Sequence, residues 1–244
     1  MIEAVRLARR VAELVPCSRR EAEQYIEGGW VRVDGVVVET PQHRVLGESV
    51  EVDPKARLAP LLPVTLLLHK PARYDWDAGS RPAGQLLQSA SHWAADRSGN
   101  RLLSRHFREQ VCVTPLETAA TGLLVFTQEF SVRRKLLEDA ALVEHETIVE
   151  VRGAVAASAL ERLNRSPVVD GRAMLAAKVS VTSQSEAVTG LRIAVKGSYP
   201  GRIAQMCDAA GLTIVAMRRI RVGRVPLAGL PPGQWRYLLA SERF

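Results

Sequence analysis

The stretch from residue 111 to residue 128, VCVTPLETAATGLLVFTQ, restricts the possible folds of this chain more than any other stretch. Its apolar residues predict one strand at 110–113 and a second at 122–127, with small residues and a glycine between them. Glu117 lies in the turn that joins the two strands. A carboxylate between two buried strands is either part of a site or turned into solvent, and the spacing alone leaves both alternatives open.

Two helices are predicted at the N-terminus of the chain. Apolar residues at helical spacing predict the first at residues 5–15. Ser18 and Glu21 have the spacing of a capping box, which predicts a second helix that starts at Ser18 and ends at the glycine pair 28–29. The helix dipole and two adjacent arginines make the start of this helix electropositive, which favours phosphate binding there.

A β-hairpin pattern follows the second helix. Alternating apolar residues on both sides of Asp34 and Gly35 predict two strands joined by a tight turn, and a further strand is predicted at 49–52. The next residues are rich in proline and alternate charged with apolar side chains, which is typical of a linker. We therefore expect a first domain at 1–53, a linker at 54–63 and a second domain at 64–244.

The second domain is predicted to contain more strands than helices. Strands are predicted at 64–71, 145–153, 174–182, 190–195, 212–222 and 235–239, and helices at 131–142, 157–164 and 201–210. Residues 88–110 are polar and predict a loop with a short helix. Because strands and helices do not alternate regularly, we expect an α+β fold built on a largely antiparallel sheet with flanking helices.

The distribution of charge indicates a possible kind of ligand. The chain has 33 Lys and Arg against 26 Asp and Glu, a formal net charge of +7. Residues 190–244 contain 9 of the basic residues and 2 of the acidic ones. A basic surface suits a polyanion such as a nucleic acid, although a generally basic proteome would produce the same excess without any ligand.

Several classes of protein are disfavoured by the composition. The 3 cysteines and 5 histidines lack the spacing of a disulfide framework or a metal site, and we expect no metal. No glycine-rich phosphate loop or dinucleotide fingerprint is present. Charged residues interrupt the N-terminal apolar run, and the longest apolar run, 58–68, is too short to span a bilayer. We expect a soluble cytoplasmic protein.

Residues 4–53 resemble the alpha-L RNA-binding domain first described in a small-subunit ribosomal protein. The Ser-Arg-Arg-Glu-Ala start of the second helix, the glycine stop and the Val-Asp-Gly hairpin all fall at the family spacing. The alternative is that the arginines only solvate a small domain. The resemblance implies that RNA is contacted by Arg6, Ser18, Arg19, Arg20 and Arg32.

The turn around Glu117 resembles the signature of the RNA pseudouridine synthases. In that family an Arg-Leu-Asp triplet is followed by two residues, a Thr, one more residue and Gly-Leu-Leu, and the Asp is catalytic. This chain has Leu116-Glu117 and, at the matching distance, Gly122-Leu123-Leu124. The resemblance therefore makes Glu117 the candidate catalytic residue.

Two further segments resemble the bacterial ribosomal-RNA branch of this family. His69-Lys70-Pro71 matches the end of the first catalytic-domain strand, so Lys70 is either an RNA-binding candidate or an exposed lysine at a strand end. The closing run at 211–236 also resembles that branch and contributes Arg219 and Arg221 as RNA-binding candidates. The resemblance implies a ribosomal RNA partner and isomerisation of uridine without a cofactor, and we expect a monomer.

The chain also departs from the family pattern. Glu in place of Asp moves the carboxylate about 1.5 Å further from the backbone, and a misplacement near 1 Å can lower a rate roughly a hundredfold. Pro115 stands where the family has the arginine that displaces the base, and Ala120 where it has the threonine that holds the loop. Thr147 stands at the place of the tyrosine that stacks on uracil, and Ala204 and Gln205 at the places of two arginines that balance the carboxylate. The sequence leaves open an active synthase and a catalytically inactive RNA-binding relative that acts on rRNA or ribosome assembly. A small-molecule enzyme on the same scaffold is disfavoured, because no compact set of polar groups is visible.

Overall fold

The computed structural model of the protein describes residues 4–165, 168–169, 172–173 and 176–244. The chain divides into two compact units. The first unit consists of Met1–Pro63 and Asn100–Arg108, and the second of Val64–Gly99 and Glu109–Phe244.

The first unit begins with two helices, α1 (Leu7–Leu14) and α2 (Arg19–Glu27). The predicted capping box is present at the start of α2: the hydroxyl of Ser18 accepts the N–H of Glu21, and the Glu21 carboxylate accepts the N–H of Ser18 at 2.7 Å. Beyond α2 the chain reverses at Gly29, whose φ of +68° favours glycine. The local sequence therefore determines both ends of α2.

Five short strands complete the first unit. They are β1 (Val5–Arg6), β2 (Val31–Val33), β3 (Val36–Val37), β4 (Arg44–Val45) and β5 (Val50–Val52). β2 lies between β3 and β5 in an antiparallel sheet, and β1 pairs with β4. Asp34 and Gly35 have φ of +47° and +78°, as a two-residue hairpin turn requires. The helices and strands share a core that includes Leu7, Val11, Ala22, Ile26 and Val31.

The segment Asn100–Arg108 groups with the first unit, although the sequence interpretation assigned it to the domain at 64–244. The guanidinium of Arg101 lies 3.6 Å from the centroid of the Trp30 ring. The same group donates to the carbonyl of Gly29 at 2.8 Å and forms an ion pair with Asp53 at 3.3 Å. These contacts join residues that are far apart in sequence, and local patterns therefore do not predict them.

A nine-stranded sheet forms the centre of the second unit. Its strands are β6 (Thr65–Lys70), β7 (Val111–Cys112), β8 (Thr121–Thr127), β9 (Glu144–Arg152), β12 (Lys178–Gln184), β13 (Val188–Lys196), β14 (Ile214–Val222), β15 (Val225–Pro226) and β16 (Trp235–Tyr237); β10 (Val168–Val169) and β11 (Arg172–Ala173) form a separate pair. The main strand order is β12-β13-β9-β14-β8-β6-β16. Because β14 and β8 are parallel and the other pairs of these strands are antiparallel, the predicted α+β fold with a largely antiparallel sheet is confirmed.

The helices of the second unit are α3 (Phe130–Leu137), α4 (Ala157–Asn164) and α5 (Arg202–Ala209). The bounds predicted for α4 are confirmed. The helix predicted at 131–142 begins one residue earlier, at Phe130, and ends earlier, at Leu137. The reason is that Thr127 accepts the N–H of Glu129 at 2.9 Å and Thr65 donates to the Glu129 carboxylate at 2.6 Å, which fixes the chain one residue before the helix begins. Residues 174–175 of the strand predicted at 174–182 lie outside the described residues, and β12 begins at Lys178.

The helices in the described part of the chain are all too short or too polar to cross a membrane.

The register of the central strands brings two basic residues to one glycine. Gly122 of β8 pairs with Lys70 of β6 on one side and with Arg219 of β14 on the other. The side chains of Leu123 and Val125, which follow in β8, are completely buried in the core. Lys70 and Arg219 therefore lie on the two sides of the point where the Glu117 turn leads into β8.

We predict that Arg101 stabilises the first unit. Arg101→Ala removes a cation–π contact and a hydrogen bond to a carbonyl group, so the free energy of unfolding of this unit should fall by about 1–2 kcal/mol. The 100–108 segment should also become more sensitive to trypsin. Urea unfolding and limited proteolysis measure the two effects. Arg9→Ala is the control, because Arg9 is exposed and pairs only with Glu13 on its own helix; equal behaviour of the two variants would contradict the assignment.

Candidate active site

Glu117 is half-buried in the turn between β7 and β8. Its Oε1 accepts the backbone N–H of Gly201 at 2.7 Å. The backbone carbonyl of Glu117 accepts the N–H of Ala120 at 3.1 Å, which closes the turn. The carboxylate is therefore half-buried and bonded within the protein, and its role as part of a site stays a prediction.

Gly201 immediately precedes α5 and has a φ of +85°, in the left-handed region that glycine occupies without steric cost. Backbone N–H groups at the start of a helix lack partners within the helix and carry a partial positive charge. The carboxylate of Glu117 is thus placed at the positive end of α5, as an anion at a helix N-terminus commonly is. Gly201 was not among the predicted site residues, and the only signal for it is a glycine as the first residue of the helix predicted at 201–210.

Arg219 is 3% exposed and fixes the chain on both sides of the turn. Its Nη2 donates to the carbonyl of Thr114 at 2.5 Å, its Nη1 to the carbonyl of Pro115 at 2.8 Å, and its Nε to the carbonyl of Leu123 at 2.8 Å. Burial lowers the pKa of Arg219 to about 10, and the negative charge of Glu117 acts in the opposite direction. The prediction that Arg219 contacts RNA is therefore corrected, because its donors are used inside the protein.

Ser198 connects this arginine to the segment that carries Gly201. Its hydroxyl donates to the carbonyl of Pro115 at 2.6 Å and accepts from Nη1 of Arg219 at 3.0 Å. The residues on both sides of the Glu117–Gly201 hydrogen bond are thus held by one network. No sequence pattern identified Ser198, because its partners lie far away along the chain.

Gly122 is required where β8 meets Arg219. Its φ is +125°, and a Cβ atom there would lie 2.3 Å from the carbonyl oxygen of Arg219 and 2.5 Å from its backbone nitrogen. A side chain would push β8 away from β14. Gly122, the glycine of the Gly-Leu-Leu signature, therefore allows β8 and β14 to pack closely.

Lys70 is completely buried, and its ammonium group holds the other side of the turn. Its Nζ donates to the carbonyl of Ala120 at 2.7 Å, of Tyr74 at 2.8 Å, and of Thr118 and Pro71 at 3.2 Å each. Burial lowers the pKa of Lys70 to about 8, with a further contribution from the charge of Arg219. Both interpretations of Lys70 made from the sequence, an RNA contact and an exposed strand-end lysine, are corrected by its burial.

Arg221 pairs with two carboxylates on β9. Its Nη2 lies 2.7 Å from Glu144 and its Nε 2.9 Å from Glu146. Burial acts to lower the pKa of Arg221, but the hydrogen bonds to Glu144 and Glu146 outweigh it and raise the pKa. RNA contact by Arg221 stays a prediction, and a phosphate would have to compete with both carboxylates.

The positions that depart from the family pattern lie in different environments. Thr147 is buried on β9, directly opposite Arg219 in the strand register. His145, two residues earlier, is also buried, and burial together with the charges of Arg219 and Arg221 lowers its pKa to about 3. Ala204 and Gln205 are exposed on α5.

Within the described ranges, no three His, Cys, Asp or Glu residues come together in a way that could hold a metal ion.

The RNA-binding candidates of the first unit lie at its surface. Arg6 and Arg19 line one groove with a volume of about 500 Å³, and the structure adds Arg9 and Arg44 to its lining. Arg19 also pairs with Glu23 at 3.2 Å. The remaining candidates, Ser18, Arg20 and Arg32, are exposed but do not line this groove.

We predict that Lys70 is essential for the stability of the second unit. Lys70→Met should lower the free energy of unfolding by about 3 kcal/mol, because buried carbonyl groups in the Glu117 turn lose a charged donor. Urea unfolding monitored by circular dichroism measures this change. The control is Lys178→Met, at a lysine whose side chain is 83% exposed, where a change within about 0.5 kcal/mol is expected. If the two variants lost the same stability, the proposed role of Lys70 would be wrong.

Comparisons with known proteins give matches for the first unit alone and for most of the chain. Residues 5–51 match the family model described as S4 domain. A protein of Aquifex aeolicus (strain VF5), described as an uncharacterized RNA pseudouridine synthase, is 28% identical over 98% of this chain and 94% of its own length. Ribosomal large subunit pseudouridine synthase B of Escherichia coli (strain K12) is 29% identical over 89% of this chain and 74% of its own length.

A solved structure extends the comparison to the fold. The crystal structure of a pseudouridylate synthase is similar with a TM-score of 0.61 and 16% sequence identity, and the match covers 97% of each chain. The family resemblance predicted from the sequence is thus confirmed. The chain is similar over most of its length to proteins described as RNA pseudouridine synthases, its residues 5–51 match an S4 domain, and its fold resembles that of a pseudouridylate synthase.

Proposed function

We propose that this protein converts uridine to pseudouridine in structured RNA, with Glu117 as the catalytic carboxylate. The observation that carries the proposal is the hydrogen bond of 2.7 Å between Glu117 Oε1 and the N–H of Gly201, within a turn held by the buried cations Lys70 and Arg219. These two charges hold the backbone of the turn and thereby fix the position of the carboxylate beside Gly201.

The reaction is an isomerisation. The bond between uracil N1 and the ribose is broken, the base turns, and a carbon atom of the base forms the new bond to the ribose. That carbon loses its proton and N1 gains one, so the product is an isomer of the substrate. A carboxylate can act at the sugar or at the base, after the nucleotide has been flipped out of its stack.

Ribosomal RNA is the proposed substrate class. Ribosomal large subunit pseudouridine synthase B, whose name specifies this substrate, is similar to the chain over most of its length. The S4 domain supplies the RNA-binding surface in this proposal, through the groove lined by Arg6, Arg9, Arg19 and Arg44. Phosphate groups are the chemical partners expected for such a cluster of exposed arginines.

A second candidate function is that of a catalytically inactive protein that binds rRNA. It is supported by Thr147, which lies buried beside Arg219 at the position where the family has a tyrosine that stacks on the base. A threonine has no ring for stacking, and a flipped base would need another partner there. The two candidates make different predictions for activity and the same prediction for RNA binding.

For RNA binding, replacing Arg19 and Arg20 together by Ala should weaken affinity for rRNA. The slope of log K against log salt concentration should become shallower by about one unit for each phosphate that the variant no longer neutralises. Filter binding over a series of salt concentrations measures it. The Arg133→Ala, Arg134→Ala pair on α3 is the matched control, because both arginines are exposed and lie in the other unit. An unchanged slope in a folded Arg19/Arg20 variant would exclude these residues from the RNA interface.

For catalysis, the wild-type protein should form pseudouridine in rRNA transcribed without modifications. Glu117→Ala should lower the rate at least about a hundredfold while leaving RNA affinity within about twofold, since it removes a reacting group and no RNA-binding residue. Chromatography of nuclease-digested RNA measures the product. A wild-type protein that binds this RNA but forms no pseudouridine would favour the second candidate.

A further inference from the structure

We infer that this site is built specifically for a glutamate at position 117, with the backbone N–H of Gly201 at the start of α5 as the partner that positions its carboxylate. The inference rests on the proposed function and makes it more specific. It assigns a positioning role to Gly201 and Ser198, and it predicts that the family-like aspartate would impair this protein.

The backbone of the turn cannot shift to compensate for a shorter side chain. Before Glu117, the carbonyl groups of Thr114 and Pro115 are bonded to Arg219. After Glu117, those of Thr118 and Ala120 are bonded to Lys70. Because buried, charged donors hold both sides, the length of the side chain at position 117 determines where the carboxylate lies.

The segment that carries Gly201, the donor of this hydrogen bond, is also fixed. Ser198 is bonded to both Pro115 and Arg219, and Gly201 lies three residues further along the chain, at the start of α5. Aspartate would withdraw the carboxylate by one carbon–carbon bond, about 1.5 Å. The present distance of 2.7 Å to Gly201 would then exceed the range of a hydrogen bond.

The N-terminus of α5 also supplies positive charge next to the Glu117 carboxylate. The N–H groups of Lys70 and Arg219 point to carbonyl oxygens, so these cations act on Glu117 through their fields. Ala204 and Gln205, where the family resemblance leads one to expect arginines, are exposed and uncharged. The start of α5 carries roughly half a positive charge, and the Glu117 carboxylate lies at that end of the helix.

The test separates the length of the side chain from its charge. Glu117→Asp keeps the charge and shortens the chain, and Glu117→Gln keeps the length and an acceptor oxygen but removes the charge. We expect Glu117→Asp to lower pseudouridine formation about a hundredfold. Glu138→Asp is the matched control, because Glu138 is exposed at the end of α3; it should change the rate less than about twofold.

The amide resonance of Gly201 in the isotope-labelled full-length protein gives a readout that does not depend on activity. In the wild type it should lie downfield, because the N–H is bonded to a carboxylate. Glu117→Gln should keep a hydrogen-bonded resonance with a smaller downfield shift, because its acceptor oxygen is uncharged, and Glu117→Asp should lose the downfield shift. Circular dichroism shows that each variant is folded, and if Glu117→Asp does not fold, the Gln variant alone decides whether the resonance follows the charge at position 117.

Two results would overturn the inference: a Glu117→Asp variant as active as the wild type, or a Gly201 resonance that does not respond to changes at position 117. If the wild type forms no pseudouridine but the resonance behaves as expected, the proposed reaction is wrong and the positioning by Gly201 is retained. Failure of the function and failure of the inference are therefore distinguishable.

Discussion

The candidate site depends on one buried guanidinium. Arg219 lies inside the second unit, and its hydrogen bonds reach the carbonyl groups of Thr114, Pro115 and Leu123. A planar group with several donors can hold carbonyl groups of two backbone segments at fixed angles, which a lysine cannot do. The energetic penalty of burying its charge is offset by these bonds and by the nearby carboxylate of Glu117. The backbone around Glu117 has its present shape because its carbonyl groups must face the buried guanidinium of Arg219.

Positioning in this site is divided between side chains and backbone. Two buried cations, Lys70 and Arg219, bond to the backbone of the turn, and a backbone N–H, that of Gly201, bonds to the side chain of Glu117. The cations therefore remain close to the carboxylate without forming a direct ion pair with it. One oxygen of this carboxylate, Oε1, is thereby bound to the backbone of the protein.

The sequence predicted those features that local chemistry determines. Ser18 and Glu21 form their capping box, and Asp34 and Gly35 form their turn, because the interacting groups are close in sequence. The burial of Arg219 could not be predicted in the same way, since a charged residue in a strand is normally exposed unless distant carbonyl groups meet it. The resemblance to a family identified Glu117, but its hydrogen-bond partner, 84 residues later in the chain, has no sequence signature.

The hydrogen bond between Glu117 and Gly201 connects two departures from the family pattern: the glutamate at position 117 and the uncharged residues at positions 204 and 205. Ala204 and Gln205 supply no cation on α5, whereas Glu117 reaches the backbone N–H at the N-terminus of that helix. In the proposed arrangement, the longer side chain and the missing arginines are two parts of one change, in which a helix terminus replaces a side-chain cation as the charge partner. Thr147 remains outside this explanation, because nothing near it replaces the stacking surface of the expected tyrosine.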